Sequence, residues 1–206
     1  MSHNHQDVGA RRSSTEGRAQ ARPNRIGAEA LFREHAVFIA TFVQRLGVKA
    51  DETDDLVQEV FLVAHRKGGY EPGPAQPRSW LAAIAVRLTR AHHRALGRKR
   101  ETADHDVLER APSCQRTPDE QLEAQQSVAR VQAALDQLDL EHRATFVLYE
   151  LEGEPCQAIA ASFGLPIGTV YSRLHYARRR FTQAYENLEL SDKNRAVRAL
   201  STMEGQ

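Results

Sequence analysis

Between Tyr171 and Arg180 the chain carries two phenols, a hydroxyl, an imidazole and four guanidinium groups. No nucleophile is spaced with a base, and no metal-ligand motif of the HExxH kind is present. What these groups offer is positive charge, hydrogen-bond donors and flat rings, the chemistry that grips phosphates and reads base edges. Their spacing is helical. Val170, Leu174, Ala177 and Phe181 recur at i, i+4, i+7 and i+11, one apolar stripe. Tyr171, Ser172, His175, Tyr176 and Arg179 span an arc of about 140° turned away from it. Arg178 and Arg180 flank that face. A helix apolar on one side and aromatic, hydroxylic and basic on the other suits a recognition helix in a major groove.

Such a helix needs a partner to hold it, and the residues just before it provide one. Ile159, Ala160 and Phe163 mark the buried side of a short helix. Gly164 stands where the chain must turn sharply, and glycine tolerates φ > 0 there. Pro166 suits the start of the next helix. A small Ala160, a Gly164 turn and an apolar Val170 let two helices cross closely, as a helix-turn-helix requires. An amphipathic hairpin with a merely solvated charged face has the same periodicity.

A second basic element lies upstream. From Pro72 to Arg100 there is no acidic residue. Arg87, Arg90, Arg94 and Arg98 are spaced three, four and four apart on one face of a helix that starts near Ser79. A one-sign block of this length repels itself unless a polyanion is near, and phosphate neutralisation explains it better than a solvated basic helix. Trp80 heads this helix, either as a stacking platform for an unpaired base or as plain core. Before it, Gly68–Ser79 holds three prolines and three glycines and reads as a loop. Before that, Leu56, Val60 and Val63 give a core face to a helix from about Asp51 to Lys67. Its other side carries Asp54, Asp55, Gln58 and Glu59: a capped, solvated face or a docking surface for a basic partner. The first helix runs from about Gly27 to Leu46, with Leu31, His35, Phe38, Phe42 and Leu46 in register; His35 there is a packed residue rather than a ligand.

The net charge of +1 does not announce a nucleic-acid binder, but the local distribution does. The two cysteines, Cys114 and Cys156, suggest neither a disulfide framework nor a zinc site. No apolar run approaches the ~20 residues that span a bilayer, and no signal-peptide core is seen, so the chain reads as cytoplasmic. No cofactor or metal is expected. Thr117-Pro118-Asp119-Glu120 is a capping box opening a further helix, and after Leu188 the chain turns polar and is expected to fray. The organisation is all-α, with two small helical domains on a flexible linker: a basic tail over 1–25, a first domain over 26–100, a linker over 101–117, a second domain over 118–188 and a C-terminal tail over 189–206.

Three stretches in this order resemble extracytoplasmic-function (ECF) sigma factors, the short two-domain group of the sigma-70 family. Asp55–Leu62, DLVQEVFL, is similar to the signature of the family's first domain. Ser79-Trp80-Leu81 with Ile84-Ala85 is similar to its WL…IA stretch, and Pro166–His175, PIGTVYSRLH, to its PVGTVKSRLH recognition helix. The resemblance implies a job for each unit. Asp54, Asp55, Gln58 and Glu59 would dock on the clamp helices of the largest subunit of core RNA polymerase. Trp80, Arg87, Arg90, Arg94 and Arg98 would read and melt the −10 promoter element. Tyr171, Ser172, Arg173, His175, Tyr176, Arg178 and Arg179 would read the −35 element, near the flap of the second-largest subunit. An anti-sigma factor, in many members membrane-bound, is the other implied partner. The family's pattern is not kept everywhere: Arg87 stands where an Asn is usual, Tyr171 where a Lys or Arg is, and Glu154-Pro155 where a Ser or Thr caps the helix. A stand-alone helix-turn-helix regulator would account for 156–181 but not for the acidic and basic helices before it. An enzyme using His92, His93 or a cysteine has no motif to support it.

Overall fold

A computed structural model describes residues 25–100 and 118–203. Its helices, in order, are α1 (Ala28–Arg45), α2 (Ala50–Arg66), α3 (Pro77–Arg100), α4 (Pro118–Leu135), α5 (Leu140–Phe146), a π-helical turn (Val147–Leu151), α6 (Cys156–Phe163) and α7 (Ile167–Met203). The expected basic tail, apart from Arg25, the linker and Thr117 of the capping box lie outside the described residues.

The first unit is built by α1, α2 and α3 around Leu31, Ile39, Phe42, Leu56, Val60 and Leu81, all nearly or fully buried. Of the expected stripe, Leu31, His35, Phe42 and Leu46 are buried and Phe38 is partly so. Between α2 and α3 the chain is a loop, as composition predicts, but α3 starts two residues earlier than expected, at Pro77. The reason is local. The Ser79 hydroxyl accepts from the Gln76 N–H at 3.1 Å, the Gln76 carbonyl accepts from the Trp80 N–H at 2.9 Å, and Pro77 takes the first helical position. A two-residue bridge, Ile26 N–H to Tyr70 O and Tyr70 N–H to Ile26 O at 2.9 Å each, ties the loop to the start of α1.

The second unit packs α5, the π-helical turn and α6 against the first half of α7, while α4 lies along α7 further on. Asp139 caps α5, its carboxylate accepting from the N–H groups of Glu141 and His142 at 3.1 Å. The expected fraying after Leu188 is not found: α7 continues to Met203. Packing explains this. Helix α4 covers α7, Arg130 lies 4.0 Å from Asp192, and Glu189 pairs with Lys193 one turn on.

The two units touch. Residues 81–86 of α3 are at most 2% exposed on every side, as a helix is when layers cover both its faces. Leu81, Ile84 and Ala85, of the stretch similar to WL…IA, form one face. Ser79, Ala83, Val86 and Arg90, at i, i+4, i+7 and i+11, form the other, which meets α5 and α6.

Burial depresses the His35 imidazole below its ordinary value of 6.5, and Arg78 adds to that. His93 is lowered too, by burial and by His92 and Arg143. Both rings therefore take up a proton less readily in the fold than in the unfolded chain. Stability is then full above pH 6.5 and falls as pH drops below it. Melting at pH 7.5 and 5.5 checks this: the wild type melts lower at pH 5.5, and His35→Gln narrows the gap.

Candidate nucleic-acid interface

The recognition element is folded by its turn. Gly164 has φ 65° and ψ 39°, the left-handed conformation expected of it, and the Leu165 N–H donates back to Ala160 O at 3.0 Å. Pro155 stands at the N-cap of helix α6 and gives it no side-chain cap; the preceding Glu154 instead turns inward and is buried. On α7, Val170, Leu174 and Ala177 are buried, and Phe181 stacks on Phe146 with centroids 4.6 Å apart. The stripe thus faces the core and turns the opposite side outward.

That outer side is the predicted one, with distinctions that spacing does not reveal. Tyr171, His175 and Arg179 are exposed and make no polar contact among the described residues. Ser172 is exposed but donates to Thr169 O at 3.0 Å, a bond within its own helix. The Tyr176 ring lies 4.4 Å from that of His142. Arg178 donates to Glu150 and sits 5.3 Å over the Tyr149 ring, which aims its guanidinium along the π-helical turn. Arg173 is the exception: it is largely covered and pairs with Glu141 at 3.0 Å.

On α3, Arg87, Arg90 and Arg94 are exposed on one side; the Arg98 side chain lies outside the described residues. Arg87 and Arg94 are unpaired among the described residues, whereas Arg90 pairs with Glu141. Trp80 is partly buried, packs on the core and meets Tyr70 edge-on at 5.8 Å. The Tyr70 hydroxyl in turn donates to Ala75 O and holds the loop against the helix.

On α2, Asp54, Asp55, Gln58 and Glu59 are all exposed and have no side-chain partner among the described residues. Sequence reading missed their neighbour Leu62. It is 52% exposed and sits one turn beyond Gln58 and two beyond Asp55, so it puts an apolar side chain on the acidic face. It also missed Glu141, Glu150 and Glu152, which hold arginines of α7, α3 and α1. Among the described residues no three His, Cys, Asp or Glu side chains gather as for a metal, and no helix is long and apolar enough to cross a membrane. Cys114 lies outside the described residues.

Comparison with known proteins agrees with this arrangement. Residues 31–99 match the Sigma-70 region 2 family and residues 129–181 the Sigma-70 region 4 family. The ECF RNA polymerase sigma factor SigL of Mycobacterium tuberculosis is 34% identical over 151 residues, covering 73% of this chain and 84% of that one. HrpL of Pseudomonas syringae pv. syringae, an RNA polymerase sigma factor, is 32% identical over 163 residues, covering 76% and 86%. The ECF sigma factor SigE of Mycolicibacterium smegmatis is 34% identical over 150 residues, which are 72% of this chain but 58% of that longer protein. Among solved structures, the sigma factor RpoE of Bartonella quintana, in complex with the anti-sigma factor NepR, has the same fold, with a TM-score of 0.60 at 23% identity over 77% of this chain and 96% of that one. With both helical regions matched in order, and with relatives above 30% identity along most of its length, the chain belongs to the ECF sigma factors of the sigma-70 family, which are transcription initiation factors and not enzymes.

Proposed function

We propose that this protein binds core RNA polymerase through α2, opens the −10 element with α3 and the loop before it, and reads the −35 element with α7. The observation that carries the reading is the outward face of α7. Aromatic, hydroxyl, imidazole and guanidinium groups stand in the open on a helix whose other side is locked into a core. A recognition helix needs that rigid presentation. The α3 arginines supply phosphate contacts that set the register, and Trp80 offers a ring against which an unpaired base can stack. The exposed acidic side of α2 suits a basic partner surface on the clamp helices of the largest subunit, and the second unit works near the flap of the second-largest subunit. The site of action is then the cytoplasm, where polymerase is. An anti-sigma factor, membrane-bound or not, is the natural regulator, and the relative in complex with NepR supports that reading.

Purified core polymerase, with and without this protein, on the promoter upstream of its own gene tests the whole scheme. Protein-dependent transcripts from one start site are expected. Absence of both transcript and core binding would leave a simple DNA-binding regulator as the better reading.

Arg179 provides a finer test. It is exposed and unpaired among the described residues, so Arg179→Ala loses a phosphate or base contact without disturbing the fold. Binding to a duplex −35 fragment should weaken by about tenfold, and the slope of log K against log salt should fall by about 1. Equal affinity across a salt series would take Arg179 out of the interface.

A further inference from the structure

Given the −35 reading of α7 proposed above, we infer that Tyr176 selects a thymine in that element through the base's C5-methyl group, and that His142, tethered by Asp139, is the positioning residue that holds the Tyr176 ring.

The restraint starts at the head of α5. One oxygen of the Asp139 carboxylate accepts from the N–H groups of Glu141 and His142 at 3.1 Å. The other lies 2.7 Å from Nδ1 of His142. Burial pushes the Asp139 carboxyl up, but the bonds from His142 bring it below its ordinary value, so it is ionised at neutral pH. A carboxylate can only accept, which makes Nδ1 the donor and fixes the imidazole plane. The His142 side chain is mostly covered, and its ring centroid lies 4.4 Å from that of Tyr176 at a tilt of 47°. One turn back on α7, Arg173 pairs with Glu141 at 3.0 Å. The first turn of α5 thus grips α7 at two neighbouring places, and the Tyr176 phenol rests on a ring that is itself tied down.

Tyr171 makes the contrast. The two phenols have nearly the same exposure, 51% and 47%. Tyr171 has no ring partner among the described residues, so DNA must order it on binding, at a cost in affinity. Tyr176 is ordered beforehand. Ser172, Tyr176 and Arg179 form one row on the helix, at i, i+4 and i+7. The Ser172 hydroxyl is turned back onto Thr169 O, and Arg179 is a charge in solvent. Tyr176 is therefore the member of this row that presents a fixed shape.

What a fixed phenol can select follows from its chemistry. A hydroxyl both donates and accepts, so the O–H suits any base edge and discriminates little. The discriminating part of a held tyrosine is its apolar ring. In the major groove thymine alone presents an apolar group, the C5-methyl, while the other bases present donors and acceptors. With His142 against one side of the ring, the exposed side is left for that methyl.

The test uses holoenzyme made from core polymerase and the full-length chain. It selects templates from a pool of the promoter upstream of its own gene in which the −35 region is randomised. A thymine should be enriched at one position. Deoxyuridine in its place removes the methyl and nothing else, and should weaken wild-type binding about fourfold. Tyr176→Ala should bind the two templates equally. Tyr176→Phe should keep the wild-type difference, because the ring and not the hydroxyl is the reader. His142→Ala should shrink the difference to less than about twofold, and His142→Phe, which restores a flat ring, should recover most of it. Circular dichroism should report equal helicity for all four variants. If His142→Ala weakens binding to both templates by the same factor and keeps their ratio, His142 is merely structural and its positioning role falls. Enrichment of no thymine, a methyl preference that survives Tyr176→Ala, or one that is lost in Tyr176→Phe overturns the thymine assignment and leaves the −35 reading of α7 standing. A wild-type holoenzyme that selects no −35 sequence overturns that reading, and the assignment with it.

Discussion

Replacing Leu62 by Gln should weaken binding to core RNA polymerase by about thirtyfold, close to 2 kcal/mol, with helix content and melting temperature unchanged. The expectation rests on what Leu62 does in the free protein, which is very little. It is 52% exposed and absent from the core of the first unit, so its loss removes no packing. On α2 it is flanked by Asp55, Gln58 and Glu59, all exposed. Protein interfaces concentrate their energy in a few apolar anchors sealed by a polar rim, and charged rim residues mainly affect association rate. Asp55→Ala and Glu59→Ala should therefore slow association and reduce its salt dependence, while Leu62→Gln should speed dissociation. Titration of labelled protein with core polymerase separates the two. A Leu62→Gln protein with wild-type affinity would move the docking surface away from this face of α2.

The second large effect is expected from one methyl group. Gly69 has φ +85°, and a Cβ there would stand 2.3 Å from the carbonyl oxygen of Ile26. That oxygen is no flexible side-chain tip; it accepts the Tyr70 N–H in the bridge that ties the loop to α1. Gly69→Ala must therefore adopt a left-handed conformation at ~1–2 kcal/mol and break or bend two backbone hydrogen bonds worth ~1 kcal/mol each. A loss of about 3 kcal/mol follows, enough to lower the melting temperature by over 10 °C in a unit of this size. Gly73 is the control. It has no positive φ, and the nearest atom to an added Cβ is 3.9 Å away, so Gly73→Ala should be close to neutral. The functional consequence is specific as well. Tyr70 leaves its place against Trp80 when the bridge fails, so promoter opening should suffer more than binding to a duplex −35 fragment. Potassium permanganate footprinting of the −10 region beside duplex binding distinguishes the two steps. Equal melting temperatures for Gly69→Ala and wild type would mean that the bridge carries no load in solution.

The comparison between chain and fold divides along a physical line. What the sequence by itself determined is everything set by periodicity within one helix. The stripe Val170, Leu174, Ala177 is a local pattern, and any fold that buries it turns Tyr171, His175 and Arg179 outward. Gly164 was legible for the same reason, since a left-handed residue between two helices favours glycine whatever surrounds it. The acidic face of α2 and the basic face of α3 follow from charges spaced at three and four.

The tertiary structure decided which of these groups are at liberty. Arg173 and Arg179 are both expected at the −35 element, yet Glu141 holds the first and leaves the second in solvent. Arg90 and Arg94 are likewise one turn apart, and only Arg90 has a carboxylate opposite. The glutamate responsible, Glu141, comes from α5, more than 50 residues from Arg90 in the chain, and a pairing of that range leaves no trace in local spacing. The same holds for the stretch of α7 just after Leu188, polar by composition, where Arg130 of α4 meets Asp192. Faces are a property of single helices and can be read from spacing; pairing across faces depends on which helices meet, and that is settled only when the whole core closes.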